Sequence, residues 1–190
     1  MKSILLSLII LLFTSVGAQI VKGQDSFLLS KNKAGGIEIG MTIDALHTKY
    51  EPRLTKLTAQ YPEGMFSPLL EIYLNGKLQN VEPSITVAID KENDWIVGGI
   101  RVKDMRFKTS KGIGIGSTLG EIRKTYKVSW IDFGEGSLFA NVEDLGISFE
   151  LDFSKPSDEW YRTRNQSLIP DSARVVSINV YDSGKAKKAD

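Results

Sequence analysis

Apolar and polar residues alternate with a period of two in several stretches of this chain. Ile85/Val87/Ile89 and Ile96/Ile100/Val102 do so on either side of the polar turn Lys91-Glu92-Asn93-Asp94. Ile147/Phe149/Leu151/Phe153 and Val176/Ile178/Val180 do so further on. That period places successive side chains on opposite faces of a strand, one buried and one wet, and so predicts antiparallel sheets. Leu54 to Tyr61 and Leu69 to Leu74 are further strand candidates. Asn75-Gly76 is a two-residue hairpin signal, because both positions tolerate positive φ. Two stretches switch to helical spacing. Ile43, Leu46, His47 and Tyr50 share one helix face, and so do Leu119, Ile122 and Tyr126. Each helix follows an Ile-x-Ile strand, a glycine that ends it (Gly40, Gly116) and a threonine placed to cap the first turn (Thr42, Thr118).

These elements recur in the same order. Gly36-Ile37-Glu38-Ile39-Gly40-Met41-Thr42-Ile43 lies over Gly112-Ile113-Gly114-Ile115-Gly116-Ser117-Thr118-Leu119. Ile85 to Asp90 lies over Ile147 to Asp152, and Val97 to Asp104 over Val175 to Asp182. The pattern predicts an α+β fold of two tandem units, each a strand, a helix and an antiparallel sheet, with the helices on one side of the sheet. The expected boundaries are 35–108 and 109–182, after an N-terminal segment at 19–34 and before a flexible tail at 183–190. The second unit differs by an insertion at 153–170.

Residues 1–18 read as a secretory signal peptide: Lys2, an apolar run from Ile4 to Phe13, then Val16-Gly17-Ala18 ahead of a cleavage expected after Ala18. The run is too short to span a bilayer as a helix. The expected location is periplasmic or secreted, with no transmembrane segment after cleavage.

Composition narrows the chemistry. Zero Cys excludes disulfides, thiol nucleophiles and Cys-held zinc. A balance of 24 Lys+Arg against 23 Asp+Glu gives no field to draw nucleic acid. His47 is the one imidazole, and Arg123 stands at the equivalent position of the second helix, so neither a metal site nor a Ser–His couple is expected. Asp90-Lys91-Glu92-Asn93-Asp94 opens like a calcium loop, but Trp95 and Arg101 stand where that loop needs Gly and Glu. Gly112-Ile113-Gly114-Ile115-Gly116 lacks the spacing of a dinucleotide loop. Asp90 with Asp152, and Asp104 with Asp182, recur at matching strand ends and read as turn formers. Asp132, Glu135 and Asp158 have no counterparts and are the carboxylates left for acid–base work.

No catalytic residue, cofactor or metal ligand is assigned on this basis. The candidate binding residues are Trp160, Tyr161, Arg162 and Arg164 in the insertion, because Trp, Tyr and Arg dominate binding hot spots and long loops carry binding function. A competing reading folds Trp160 back as a plug over the sheet. The leading expectation is a non-enzymatic envelope or secreted protein that binds another macromolecule, with another envelope or secreted protein as the candidate partner, through its sheet face or this loop. A small-ligand or glycan-binding module, with Trp160 and Tyr161 stacked on a ring, is the second. A carboxylate-dependent hydrolase is the third.

The stretch from Gly112 to Leu119, the Trp160 loop, Pro170-Asp171 and Val176-Ser177-Ile178-Asn179-Val180 resembles the enterobacterial sigma-E-regulated envelope lipoproteins, a family of unknown molecular function. The resemblance covers residues 80–182 and implies an envelope setting. The family's lipid-bearing Cys is missing here, so anchoring to the outer membrane is not implied. The tandem plan is similar in architecture to the β-lactamase-inhibitor-protein and outer-membrane-assembly lipoprotein fold, a likeness that carries no function by itself.

Overall fold

The computed structural model describes residues 27–74, 82–134, 136–153 and 156–186. The signal peptide with its cleavage point, the Asn75-Gly76 turn, Glu135 and the end of the tail lie outside the described residues. In chain order the elements are β1 (Leu28–Ser30), β2 (Lys33–Ala34), β3 (Ile37–Glu38), α1 (Ile43–Lys49), β4 (Thr55–Gln60), β5 (Ser67–Ile72), β6 (Ile85–Asp90), β7 (Ile96–Val102), β8 (Lys108–Thr109), α2 (Leu119–Thr125), β9 (Trp130–Gly134), β10 (Ser137–Val142), β11 (Ile147–Leu151), α3 (Asp158–Thr163), β12 (Val175–Val180) and α4 (Ser183–Ala186). The fold is mixed α and β, rich in strand, with two sheets.

The strands read from alternation form where expected. The Ile113–Ile115 strand does not. There the chain makes one isolated bridge, Lys108 to Gly114, between turns in which Gly112 and Gly116 take positive φ. The tail also differs from expectation at its start, where α4 forms.

The larger sheet runs β4-β5-β6-β7-β12-β11-β10-β9, antiparallel throughout, so the last described strand sits in the middle. The pairing reads alike outward from the β7–β12 junction, where Arg101 faces Asn179. Leu57, Leu70, Val87 and Ile100 form one ladder row. Ile131, Ala140, Phe149 and Ile178 form the row at the same place on the other side. Each side breaks register once, between Ala88 and Ile89 and between Glu150 and Leu151. Such a bulge bends its strand and sharpens the local twist.

Both longer helices start as the threonines predict. Thr42 Oγ1 accepts from Ala45 N at 3.3 Å. Thr118 Oγ1 accepts from Glu121 N at 3.2 Å while the Glu121 carboxylate accepts from Thr118 N at 2.7 Å, a capping box. Just before them Gly40 N donates to Val97 O at 2.8 Å and Gly116 N to Val175 O at 2.9 Å, each from a positive φ that glycine alone adopts freely. The apolar face of the sheet buries Ile85, Val87, Ile100, Val102, Ile147, Phe149, Ile178 and Val180 in one cluster with Leu46, Leu119, Ile122 and Trp160 from the helices. Burying one such aliphatic or aromatic side chain stabilises the fold by about 1.5–3 kcal/mol.

Candidate functional site

The insertion is ordered by local chemistry. Ser157 caps α3, its hydroxyl accepting from Trp160 N at 3.2 Å, and Asp158 and Glu159 fill the first turn, where carboxylates suit the helix dipole. Trp160 is fully buried. Its ring belongs to the core cluster, which fits the plug reading of Trp160 rather than a ring stacked on a ligand. Tyr161 stands edge-on to Trp160 and to Phe133 of β9, with centroids 5.2 and 5.7 Å apart. The Arg164 guanidinium lies 4.6 Å over the Trp160 ring, a cation–π lid on the plug. Arg162 and Arg164 are exposed and Tyr161 is 41% exposed.

Arg123 anchors the rest of the segment to α2. Its guanidinium donates to the carbonyls of Ile169 at 3.3 Å and Gln166 at 2.5 Å and pairs with the Asp171 carboxylate. His47, its counterpart on α1, is exposed. Three of the recurring aspartates, Asp90, Asp104 and Asp182, serve local turns, and Asp152 instead ties in the residue ahead of β12. Asp90 accepts from Glu92 N and Asn93 N at 3.2 Å, Asp152 from Arg174 N at 2.6 Å, and Asp182 from Gly184 N at 2.9 Å. Asp104 takes both Arg106 N and its side chain, and those hydrogen bonds hold its carboxyl below the usual range against the opposing effect of burial. Asp158 lies in the first turn of α3, and Asp132 is placed on β9.

The sheet face, the other binding surface expected from the sequence, is the polar side of the large sheet, and the residues that line it were not singled out by sequence reasoning. Its polar positions line up strand by strand, from Lys56 and Glu71 through Thr86, Arg101 and Asn179 to Ser148, Asn141 and Trp130. With adjacent strands about 4.8 Å apart, this row is roughly 34 Å long. Beside its centre, Glu150 accepts from the Ser137 hydroxyl at 3.0 Å and makes close contacts with the Ser177 hydroxyl and the Arg101 guanidinium. Burial pushes the Glu150 carboxyl up, but the two serine hydrogen bonds and the charges of Arg101 and Lys103 outweigh it and hold the group below the usual carboxylate range. At the far end Asp132 accepts from Trp130 Nε1 at 3.0 Å and from Asn141 Nδ2 at 3.1 Å. Burial, with the carboxylates of Glu143 and Asp132, pushes the Tyr181 phenol up.

On the first-half side of the junction the same face is hollow. Ala88 and Gly99 stand where Glu150 and Ser177 stand across the sheet. They floor a depression of about 280 Å³ walled by Gln60, Thr86, Arg101, Asn179 and Tyr181. Gly99 has ordinary φ, and a β-carbon there would meet Ala88 Cβ at 3.7 Å, a normal contact, so neither strain nor crowding dictates glycine. Arg101 is matched by Glu150, Lys103 by Glu82 at 3.0 Å and Lys56 by Glu71 at 3.9 Å, which leaves this region of the face close to neutral. The alternation marked these positions as outward. The partner of each depends on strand register between residues far apart in sequence.

Among the described residues no group of three or more His, Asp or Glu side chains is placed to hold a metal, and no helix is long and apolar enough to cross a membrane. No family model matches the chain, and no curated protein matches it. Its fold is similar to that of the uncharacterized protein yfeY from Escherichia coli. That crystal structure aligns with a TM-score of 0.53 at 12% identity, over 82% of this chain and 97% of the other. At that identity the likeness shows the fold alone.

Proposed function

We propose that the protein is a non-enzymatic secreted or periplasmic envelope protein, built of tandem α+β units at 35–108 and 109–182, that binds another envelope or secreted protein through the polar face of its large sheet. The tandem reading is supported by details that pattern matching alone did not use. The register breaks, the Gly40 and Gly116 bonds into the sheet, and the Thr42–Ile96 and Thr118–Arg174 bridges all recur at corresponding residues. The signal-like residues 1–18 and the resemblance to envelope lipoproteins support the compartment.

The observation that carries the binding reading is the contrast between the two candidate surfaces. The insertion spends its largest ring, Trp160, on the core, whereas the polar face keeps charge-matched side chains and a hollow in front of solvent. The test is site-specific photo-crosslinking in intact cells. A photoreactive residue at Thr86 is expected to give one discrete adduct with an envelope protein, and the same residue at Arg162 is expected to give none. Adducts from Arg162 but not Thr86 would reverse the assignment.

A second reading, a small-ligand or glycan site, is favoured by the hollow itself. Amide, hydroxyl and phenol groups around a small-residue floor with little uncompensated charge suit a neutral polyhydroxylated ring. It predicts thermal stabilisation by a saccharide in a ligand screen, abolished by Gly99→Leu, which fills the floor.

A further inference from the structure

The large sheet ends in two strands, and they are protected very differently. β9 carries the charge of Asp132 and ends in Gly134. The insertion flanks it, with Gln166 Nε2 donating to Ser129 O at 3.4 Å just ahead of the strand and Tyr161 against Phe133. β4 has none of these devices. Its six residues contain no Pro, Gly or bulge, and its register with β5 is unbroken from Thr55–Ile72 to Gln60–Ser67. Its one charge, Lys56, is drawn to Glu71 of its own sheet. Leu57 is 67% exposed, and the chain beyond adds Tyr61 at 66% and Met65 at 63%. Among the described residues nothing pairs with the outer side of β4.

An unpaired edge strand this regular and weakly charged is a template for another strand, and proteins that keep such edges free blunt them with charge, proline, bulges or cover. We infer that β4 pairs antiparallel with β4 of a second copy of this chain, centred on Leu57. In that register Leu57 faces Leu57 of the other copy, Thr55 faces Ala59, and Lys56 faces Thr58, so no like charges oppose each other. The strand can therefore pair with a second copy of itself in this register without charge repulsion. The pairing is isologous and closes on itself. Joining β4 to β9 of a neighbour would instead propagate as a fibre. A two-fold axis through Leu57 also continues the polar face of one copy into that of the other.

The absence of cysteine makes the test clean. Purified protein is expected to sediment as a dimer at micromolar concentration, and Leu57→Lys to sediment as a monomer that keeps the wild-type circular dichroism spectrum, since Leu57 is exposed within one copy. Leu57→Cys should form a disulfide-linked dimer under mild oxidation far faster than Val176→Cys, an exposed control on β12, because a residue on the axis meets its own copy at cross-strand distance. A monomer at all concentrations overturns the inference. So does a dimer that survives Leu57→Lys, or equal cross-linking from positions 57 and 176.

Discussion

Leu57 and Ile131 occupy the same ladder position at opposite ends of one sheet, yet Leu57 is 67% exposed and Ile131 only 5%. Strand geometry and side-chain size are nearly equal at the two places. What differs is the connection after the third strand of each half. Asp90 to Ile96 is a short turn, whereas Asp152 to Val175 carries α3, the Trp160 plug and the Arg123 clamp. One inserted segment therefore turns an edge into core and leaves its counterpart at the surface. The same contrast recurs on the polar face, where Glu150 and Ser177 fill a place that Ala88 and Gly99 leave open.

The sharpest way to break this comparison is to remove the plug. Trp160→Ala is expected to cost about 3–5 kcal/mol, read as a lower denaturant midpoint. Trp160→Phe should cost far less, because the buried indole Nε1–H has no partner to lose. Next comes the matched pair. Ile131→Ala should destabilise by about 2–5 kcal/mol as a buried truncation, while Leu57→Ala, measured in protein dilute enough to be monomeric, stays within about 0.5 kcal/mol as a surface change. Equal losses at the two positions would show that the ends are not differently covered.

A smaller loss than that at Ile131 is expected on the polar face. Glu150→Gln should cost about 1–3 kcal/mol at neutral pH, the range for a hydrogen-bonded buried charge. Because the folded state holds Glu150 below its ordinary value, its contribution is complete above the unfolded carboxylate pKa of about 4.3 and fades as pH falls through the lower folded value. Thermal melts of wild type and Glu150→Gln should therefore draw together as pH falls below about 4.3. A gap that widens on acidification would mean that Glu150 is not held as a carboxylate.

Much of the framework is legible in the residues alone. Ile85/Val87/Ile89 and Ile147/Phe149/Leu151 alternate cleanly because one face of each strand is buried, and Thr42 and Thr118 announce their helices through a capping bond only three residues long. β9 and β10 go unread in the sequence analysis although Ile131/Phe133 and Leu138/Ala140/Val142 alternate. The signal was present. In 157–163 the rings and guanidinium groups drew attention as binding chemistry, while Ser157-Asp158-Glu159, a helix start, was the more telling motif. Two features had no local signal. Whether Trp160 faces solvent depends on where α3 lands, and the Arg101–Glu150 pair joins residues 49 apart through the register of β7, β12 and β11.

The central seat of β12 carries a consequence for how the molecule is made. Emergence from a ribosome or a translocon is sequential, so β7 and β11 both wait with an open flank until Val175–Val180 arrives. The two sheet halves cannot be stitched together before β12 has been made, and the chain stays threadable until that strand is delivered. A nascent product stopped short of Val175 would hold two sticky margins with nothing to seal them, which makes it a ready client for chaperones and proteases.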